Sequence, residues 1–138
     1  MVNDLVSDML TRIRNASLAK HTYTLVSYSK LNVSILKVLL SENYIENYEE
    51  KLNKKGFKEI QVFLKYKGWW VKKPYFSIFA RVSKPGKRVY SGYRYYEKII
   101  DTLRYQQGIA IISTSSGVMS HSKSIQLKKG GEILCYIG

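Results

Sequence analysis

Residues Gly108-Ile109-Ala110-Ile111-Ile112-Ser113-Thr114-Ser115-Ser116-Gly117-Val118-Met119 carry the decisive pattern of this chain. A short apolar run of this kind reads as a buried strand, here Gly108 to Ser113. Its end delivers four consecutive hydroxyls and a glycine to the surface. A second apolar run, Glu132 to Ile137, follows Gly130-Gly131 and reads as another strand. Between the two lie a Ser-rich turn and a Lys-Lys-Gly-Gly turn. The C-terminal part of the chain is therefore expected to be β-rich.

Working back toward the N-terminus, Ser83-Lys84-Pro85-Gly86 is a strong turn signal, and Lys87 to Tyr90 reads as a short strand. Tyr95 to Gln106 has helical spacing, with Tyr96, Ile99, Ile100 and Leu103 on one face. Two alternating strands precede them, one through Ile60, Val62 and Leu64, the other through Phe76, Ile78, Ala80 and Val82. Lys67 to Pro74 reads as the loop between them. Residues Asn43 to Lys55 are polar and charged and end in a turn at Asn53-Lys54-Lys55-Gly56.

The first forty residues are mainly helical. Asp4 to Ala16 places Val6, Leu5, Met9, Leu10 and Ile13 at helical spacing, with Asp4 as a cap and Asp8 to Arg12 as an i,i+4 pair. Thr22 to Val26 reads as a strand. Ser29 caps a second helix running to Leu40, with Leu31, Ile35, Val38 and Leu39 expected on its buried side. The fold class is thus α/β in the α+β sense, with two small domains. Residues 1–75 form helices packed on a short sheet; residues 76–138 form a mostly antiparallel β unit with a short helix.

Composition narrows the function. Of 138 residues, 45% are hydrophobic and 24% charged, which are ordinary globular values. No apolar run approaches the ~20 residues of a membrane helix. Asp4 and Asp8 stand where a targeting leader would be basic and apolar, which predicts work in the compartment of synthesis. The net charge is +13, and it is segregated. Residues 1–50 hold five Lys/Arg against six Asp/Glu, a net of −1; residues 51–138 hold eighteen against four, a net of +14. Such segregation points to a polyanionic partner. An anionic membrane would want a basic amphipathic helix, and the basic part reads as strands.

Candidate chemistry is sparse. Hydroxyls at Ser113, Thr114, Ser115 and Ser116 can donate to phosphate or ribose oxygens and accept from base amino groups, and Gly117 permits close backbone approach. An ordinary Ser-rich turn explains the same letters. Gly130-Gly131-Glu132 is either a turn into a strand or a backbone contact with nucleic acid, with the carboxylate accepting from amino or 2′-hydroxyl groups. No nucleophile elbow, phosphate loop or dinucleotide fingerprint occurs. His21 and His121 are the only histidines, and no third group is evident to orient His121 as a base for one of the nearby serines. Cys135 is single, so neither an intramolecular disulfide nor a sulfur-ligated metal is expected. No catalysis, cofactor, metal or small-molecule substrate is expected. Among the aromatics, Phe57, Phe63, Phe76 and Phe79 are assigned to the core, and Trp69, Trp70, Tyr93 and Tyr95 to exposed positions.

Four ordered stretches carry a family resemblance: Asp8-Met9-Leu10-Thr11-Arg12-Ile13-Arg14-Asn15-Ala16, Lys84-Pro85-Gly86-Lys87-Arg88-Val89-Tyr90, Gly108 through Met119, and Gly130-Gly131-Glu132-Ile133-Leu134-Cys135-Tyr136. With these the chain resembles the small-subunit ribosomal protein eight family of bacteria and organelles along nearly its whole length. The resemblance implies a two-domain protein that binds the central domain of small-subunit ribosomal RNA early in assembly, through an irregular helix. It implies RNA contacts at Tyr90, Ser113, Thr114, Ser115, Gly117, Gly131 and Glu132, and others at Thr11, Arg12, Arg14 and Asn15. Arg88, Ser116 and Gly130 flank these and complete the candidate set. A neighbour of the small-subunit protein five type is expected by the same analogy. An off-ribosome or autoregulatory mRNA binder is the alternative. The chain departs from the family pattern at Leu5, at Gln106-Gln107, along 121–126 and at Trp69 to Pro74. Its richness in Tyr, Lys, Ile and Asn suggests an AT-rich organelle gene, which favours a mitochondrial ribosome over a bacterial or plastid one.

Overall fold

The first helix begins where Asp4 caps it. The Asp4 carboxylate accepts from the backbone N–H groups of Val6 and Ser7, both at 3.2 Å, and α1 runs Leu5–Leu18. The structure, a computed structural model, describes residues 4–67, 73–74, 79–82, 86–93 and 109–137. The chain divides into two compact units, Met1–Ser77 and Ile78–Gly138.

In the first unit α1 is followed by β1 (Tyr23–Ser27), α2 (Lys30–Ser41), β2 (Ile45–Leu52) and β3 (Lys58–Leu64). The three strands form an antiparallel sheet in the order β1-β3-β2. Val6, Met9, Leu10 and Ile13 of α1, Ile35, Leu36 and Leu39 of α2, and Val26, Ile60, Val62 and Leu64 of the sheet are buried. Ser29 caps α2 as expected, accepting from Asn32 N–H at 3.0 Å. The buried side of α2 differs from expectation: Leu31 and Val38 are only partly covered, while Asn32 and Leu36 are fully enclosed. The reason is a tether. Asn32 Nδ2 donates to the carbonyls of Leu5 (3.3 Å) and Ser27 (3.1 Å), so one amide joins α2 to α1 and to the end of β1.

Two expectations for this unit are corrected. The polar stretch from Asn43 contains strand β2, not simply a turn region. Its burial pattern is one inward residue, Ile45, and otherwise mostly exposed side chains, so no alternation betrays an edge strand held by backbone bonds to β3. Within the loop expected at Lys67 to Pro74, β4 (Tyr66–Lys67) and β5 (Lys73–Pro74) pair as a small ladder.

The second unit is built around its last strand. β10 (Gly131–Ile137) pairs along one edge with β6 (Phe79–Arg81) and with β7 (Tyr90–Ser91), and along the other with β8 (Ile109–Thr114); β9 (Gly117–Ser120) pairs with β8. Ala110, Ile112, Ile133 and Tyr136 form a core on one face, against Val82, Val89, Tyr93 and Ile125. Ile109, Ile111, Cys135 and Ile137 are also buried, so both faces of the sheet are covered here. This explains the unbroken apolar runs. The fold is α+β, as the pattern implies.

The stretch read as two turns holds more. Beyond the Ser-rich turn come β9 and a short helix, α3 (His121–Gln126). Six residues with mixed polar character carry too little helical signal to be recognised. Three side chains secure α3: the Ser120 hydroxyl caps it by accepting the Lys123 N–H at 3.4 Å, His121 Nδ1 accepts the Ala110 N–H at 3.1 Å, and the buried Ser124 hydroxyl donates to the Lys129 carbonyl. The strand expected over Lys87 to Tyr90 is shifted to Tyr90–Ser91, where β10 offers its free edge. The helix expected at Tyr95 to Gln106 lies outside the described residues. Among the described residues no helix is long and apolar enough to cross a membrane.

Gly131 marks the tightest point of the sheet. A Cβ there would stand 2.1 Å from the Ser113 carbonyl oxygen and 3.2 Å from Thr114 Cα. One at Gly130 would stand 2.7 Å from the Ser91 oxygen. Two consequences are expected. Gly131→Ala should lower unfolding free energy by at least ~2 kcal/mol through forced separation of β8 and β10. His121→Ala, which leaves a buried backbone donor unpaired, should cost about 1–3 kcal/mol. Urea titration followed by circular dichroism measures both.

Candidate nucleic-acid interface

The hydroxyl segment is the end of β8 and the turn into β9. Register sets Thr114 opposite Gly117, so Ser115 and Ser116 are the two loop residues. Gly117 takes φ +116°, a value side chains rarely allow. The four hydroxyls have different duties. Thr114 staples the turn: its Oγ1 donates to the Gly117 carbonyl at 2.9 Å and accepts from Ser116 N–H at 3.1 Å. Ser116 is met by the Lys129 ammonium. Ser113 and Ser115 have no hydrogen-bond partner among the described residues, and Ser115 is exposed. These two are the hydroxyls left available to a ligand.

Cross-strand pairing builds a row from them. Tyr90 stands opposite Glu132, Glu132 opposite Ser113, and Ser113 opposite Val118. Directly paired residues project from one face of an antiparallel sheet. An exposed phenol ring (Tyr90, 70% exposed), a carboxylate and a hydroxyl therefore follow one another across three strands. Arg88 Nη1 donates to Glu132 Oε1 at 3.1 Å and fixes the carboxylate in the row. A phosphate would be repelled by Glu132. The row suits base amino groups and ribose 2′-hydroxyls, which donate hydrogen bonds, with the ring as a stacking surface.

Not every candidate residue serves equally. Gly130 and Gly131 lack side chains because neighbouring backbone occupies that space, so strand closure accounts for both. Arg88 is engaged with Glu132. Lys129 was absent from the candidate set, yet the turn after α3 carries it to Ser116. Thirteen residues separate the pair, and only the fold joins them. Lys123 and Lys128 are exposed nearby in sequence. The histidine considered as a base, His121, uses Nδ1 to hold Ala110.

In the first unit, Thr11, Arg12, Arg14 and Asn15 are all exposed on α1. At 3.6 residues per turn they span roughly 160° of the helix surface, with exposed Leu18 among them. The Arg12 guanidinium is engaged, donating from Nε to Asp8 at 3.0 Å and from Nη1 to the Leu25 carbonyl at 3.4 Å. Arg14 has no ion-pair partner among the described residues. Of the aromatics assigned by sequence, Phe57 is 67% exposed rather than in the core, and Tyr93 is packed against the second core rather than exposed. Trp69, Trp70 and Tyr95 lie outside the described residues. Among the described residues no three His, Cys, Asp or Glu side chains come together as metal ligands.

Comparison with known proteins bears on the whole chain. The family model described as "Ribosomal protein S8" matches residues 4–137. "Small ribosomal subunit protein uS8c" of Gracilaria tenuistipitata var. liui is 47% identical over 137 residues, covering 99% of each chain. The protein of that name from Phaeodactylum tricornutum (strain CCAP 1055/1) is also 47% identical with 99% coverage of each, and that from Mesostigma viride is 43% identical over the same shares. These are plastid-type relatives, which corrects the preference for a mitochondrion drawn from composition. Residue composition reports coding bias, which organelles of different descent share. The chain belongs to the ribosomal protein S8 family and is a non-enzymatic structural protein of the small ribosomal subunit.

Proposed function

We propose that this protein binds the central domain of small-subunit ribosomal RNA in a plastid ribosome and supports its assembly. The observation that carries the reading is the Tyr90–Glu132–Ser113 row beside the free Ser115 hydroxyl. It offers stacking, accepting and donating groups on a sheet too tightly closed to shift. Such a surface favours RNA grooves with accessible 2′-hydroxyls and unpaired bases over phosphate alone.

Portions 1–75 and 76–138 divide the work. The second supplies the selective row, with Thr114, Ser116 and Gly117 shaping the turn, Gly130 and Gly131 letting the strands close, and Lys129 adding a cation. The first contributes the exposed arc of α1, where Arg14 and Arg12 meet phosphates and Thr11 and Asn15 add hydrogen bonds. A small-subunit protein of the protein five type is a neighbour. The positive charge, +13 overall, supplies affinity and salt dependence.

Replacing Ser113 and Ser115 together by Ala should weaken binding to a plastid central-domain transcript about 10- to 30-fold. That corresponds to roughly 1 kcal/mol for each lost hydrogen bond. The slope of affinity against salt should not change, since no charge is removed. Filter binding across a potassium chloride series reads both quantities; wild-type affinity in the double variant would refute the site. In a plastid lysate, the tagged chain should sediment with small subunits. Sedimentation apart from them would refute the ribosomal placement.

A further inference from the structure

The turn joining β2 to β3 carries features that the row and the α1 arc do not use. Residues 51–58 hold four lysines and no acid; Glu59 stands level with Lys51, and Glu46, Glu49 and Glu50 lie farther down β2. The charge is thus separated along the hairpin, and its far end is positive. Phe57 and Leu52 stand at this end 67% and 66% exposed, a costly position for a large ring without a ligand.

The backbone beneath is rigid. Asn53 Oδ1 accepts from Lys55 N–H at 2.9 Å and Phe57 N–H at 3.0 Å. Asn53 N–H donates to the Phe57 carbonyl at 2.8 Å, and Gly56 N–H to the Asn53 carbonyl at 3.0 Å. Gly56 takes φ +81°, which completes the turn. The four lysines differ in freedom. Lys51 pairs in register with Glu59, and the Lys58 ammonium lies 4.9 Å from the centre of the Tyr28 ring. Lys54 and Lys55, at the apex, have no partner among the described residues. A groove of about 500 Å³ opens between Leu25, Leu52 and the apical lysines, with Glu59 also on its wall.

We propose that this hairpin tip is a second, separate grip on RNA. Lys54 and Lys55 neutralise phosphates, flanked by Lys51 and Lys58, and Phe57 stacks on an unpaired base. A rigid turn carrying two free cations beside one exposed ring matches single-stranded RNA, whose backbone and base faces require no sequence code. The proposal rests on the RNA-binding reading above but on different residues, so the hairpin grip can fail while that reading stands.

The test uses the full-length chain and a plastid central-domain transcript. With Lys54→Gln and Lys55→Gln combined, the slope of log affinity against log salt should flatten by about 1.5, at 0.7–0.9 for each phosphate contact. Lys54→Arg with Lys55→Arg should keep the wild-type slope, and Phe57→Ala should weaken binding with the slope unchanged. Circular dichroism should show all variants folded. In assembled small subunits, Phe57→p-benzoylphenylalanine should crosslink to RNA under light. A wild-type slope in the Lys→Gln pair, or a crosslink to protein alone, overturns the hairpin grip. If the wild-type chain shows no salt-dependent binding, the RNA reading falls and the hairpin grip with it.

Discussion

The close approach of Gly131 to Ser113 governs the second unit. β10 receives strands on both edges, and its entry lies within a Cβ's width of the β8 backbone. Any side chain there would push the Ser113 carbonyl away and move the hydroxyl turn with it. The contact therefore sets two things at once. It closes the sheet over Ile112 and Ile133, and it aligns Tyr90, Glu132 and Ser113 across three strands. A surface made from cross-strand neighbours inherits the stiffness of the ladder, which would limit the ordering cost of the proposed binding.

Charge and selectivity occupy different residues. The row contains one acid, Glu132, already matched by Arg88, and its other groups are neutral. Among the described residues, exposed cations without an ion-pair partner include Arg14 on α1, Lys54 and Lys55 on the β2–β3 turn, and Lys123 and Lys128 around α3. Under the proposed function, long-range attraction would bring the RNA in and short-range hydrogen bonding would select the site. Arg12 shows the compromise between fold and ligand. Its guanidinium braces α1 against Leu25 of β1 while remaining at the surface, so its removal would disturb the helix as well as any contact.

Much of this was legible in the chain itself. Helix α1 follows from Asp4, from the spacing of Val6, Met9, Leu10 and Ile13, and from the Asp8–Arg12 pair. Strands β8 and β10 follow from apolar runs buried on both faces. β2 was hidden because an edge strand with one inward residue, Ile45, has no periodicity to detect. Helix α3 was hidden because, beyond its Ser120 cap, it is held by His121 and Ser124, whose bonds reach Ala110 and Lys129. The buried place of Asn32 has no local signal, since a polar side chain enters the core only when distant carbonyls receive it, as those of Leu5 and Ser27 do.

The sequence by itself determined the α+β class, the family, the segregation of charge and the hydroxyl turn. Each of these depends on residue types at local spacings. Only the tertiary structure decided which hydroxyls are available, because Thr114 is taken by its own turn and Ser116 by a lysine thirteen positions away. It likewise gave Gly130 and Gly131 a packing duty, as the positions where neighbouring backbone leaves no room for a side chain, and moved Phe57 from core to surface. Local spacing records what a residue can do. The space and partners that decide what it does come from chain segments brought together by folding.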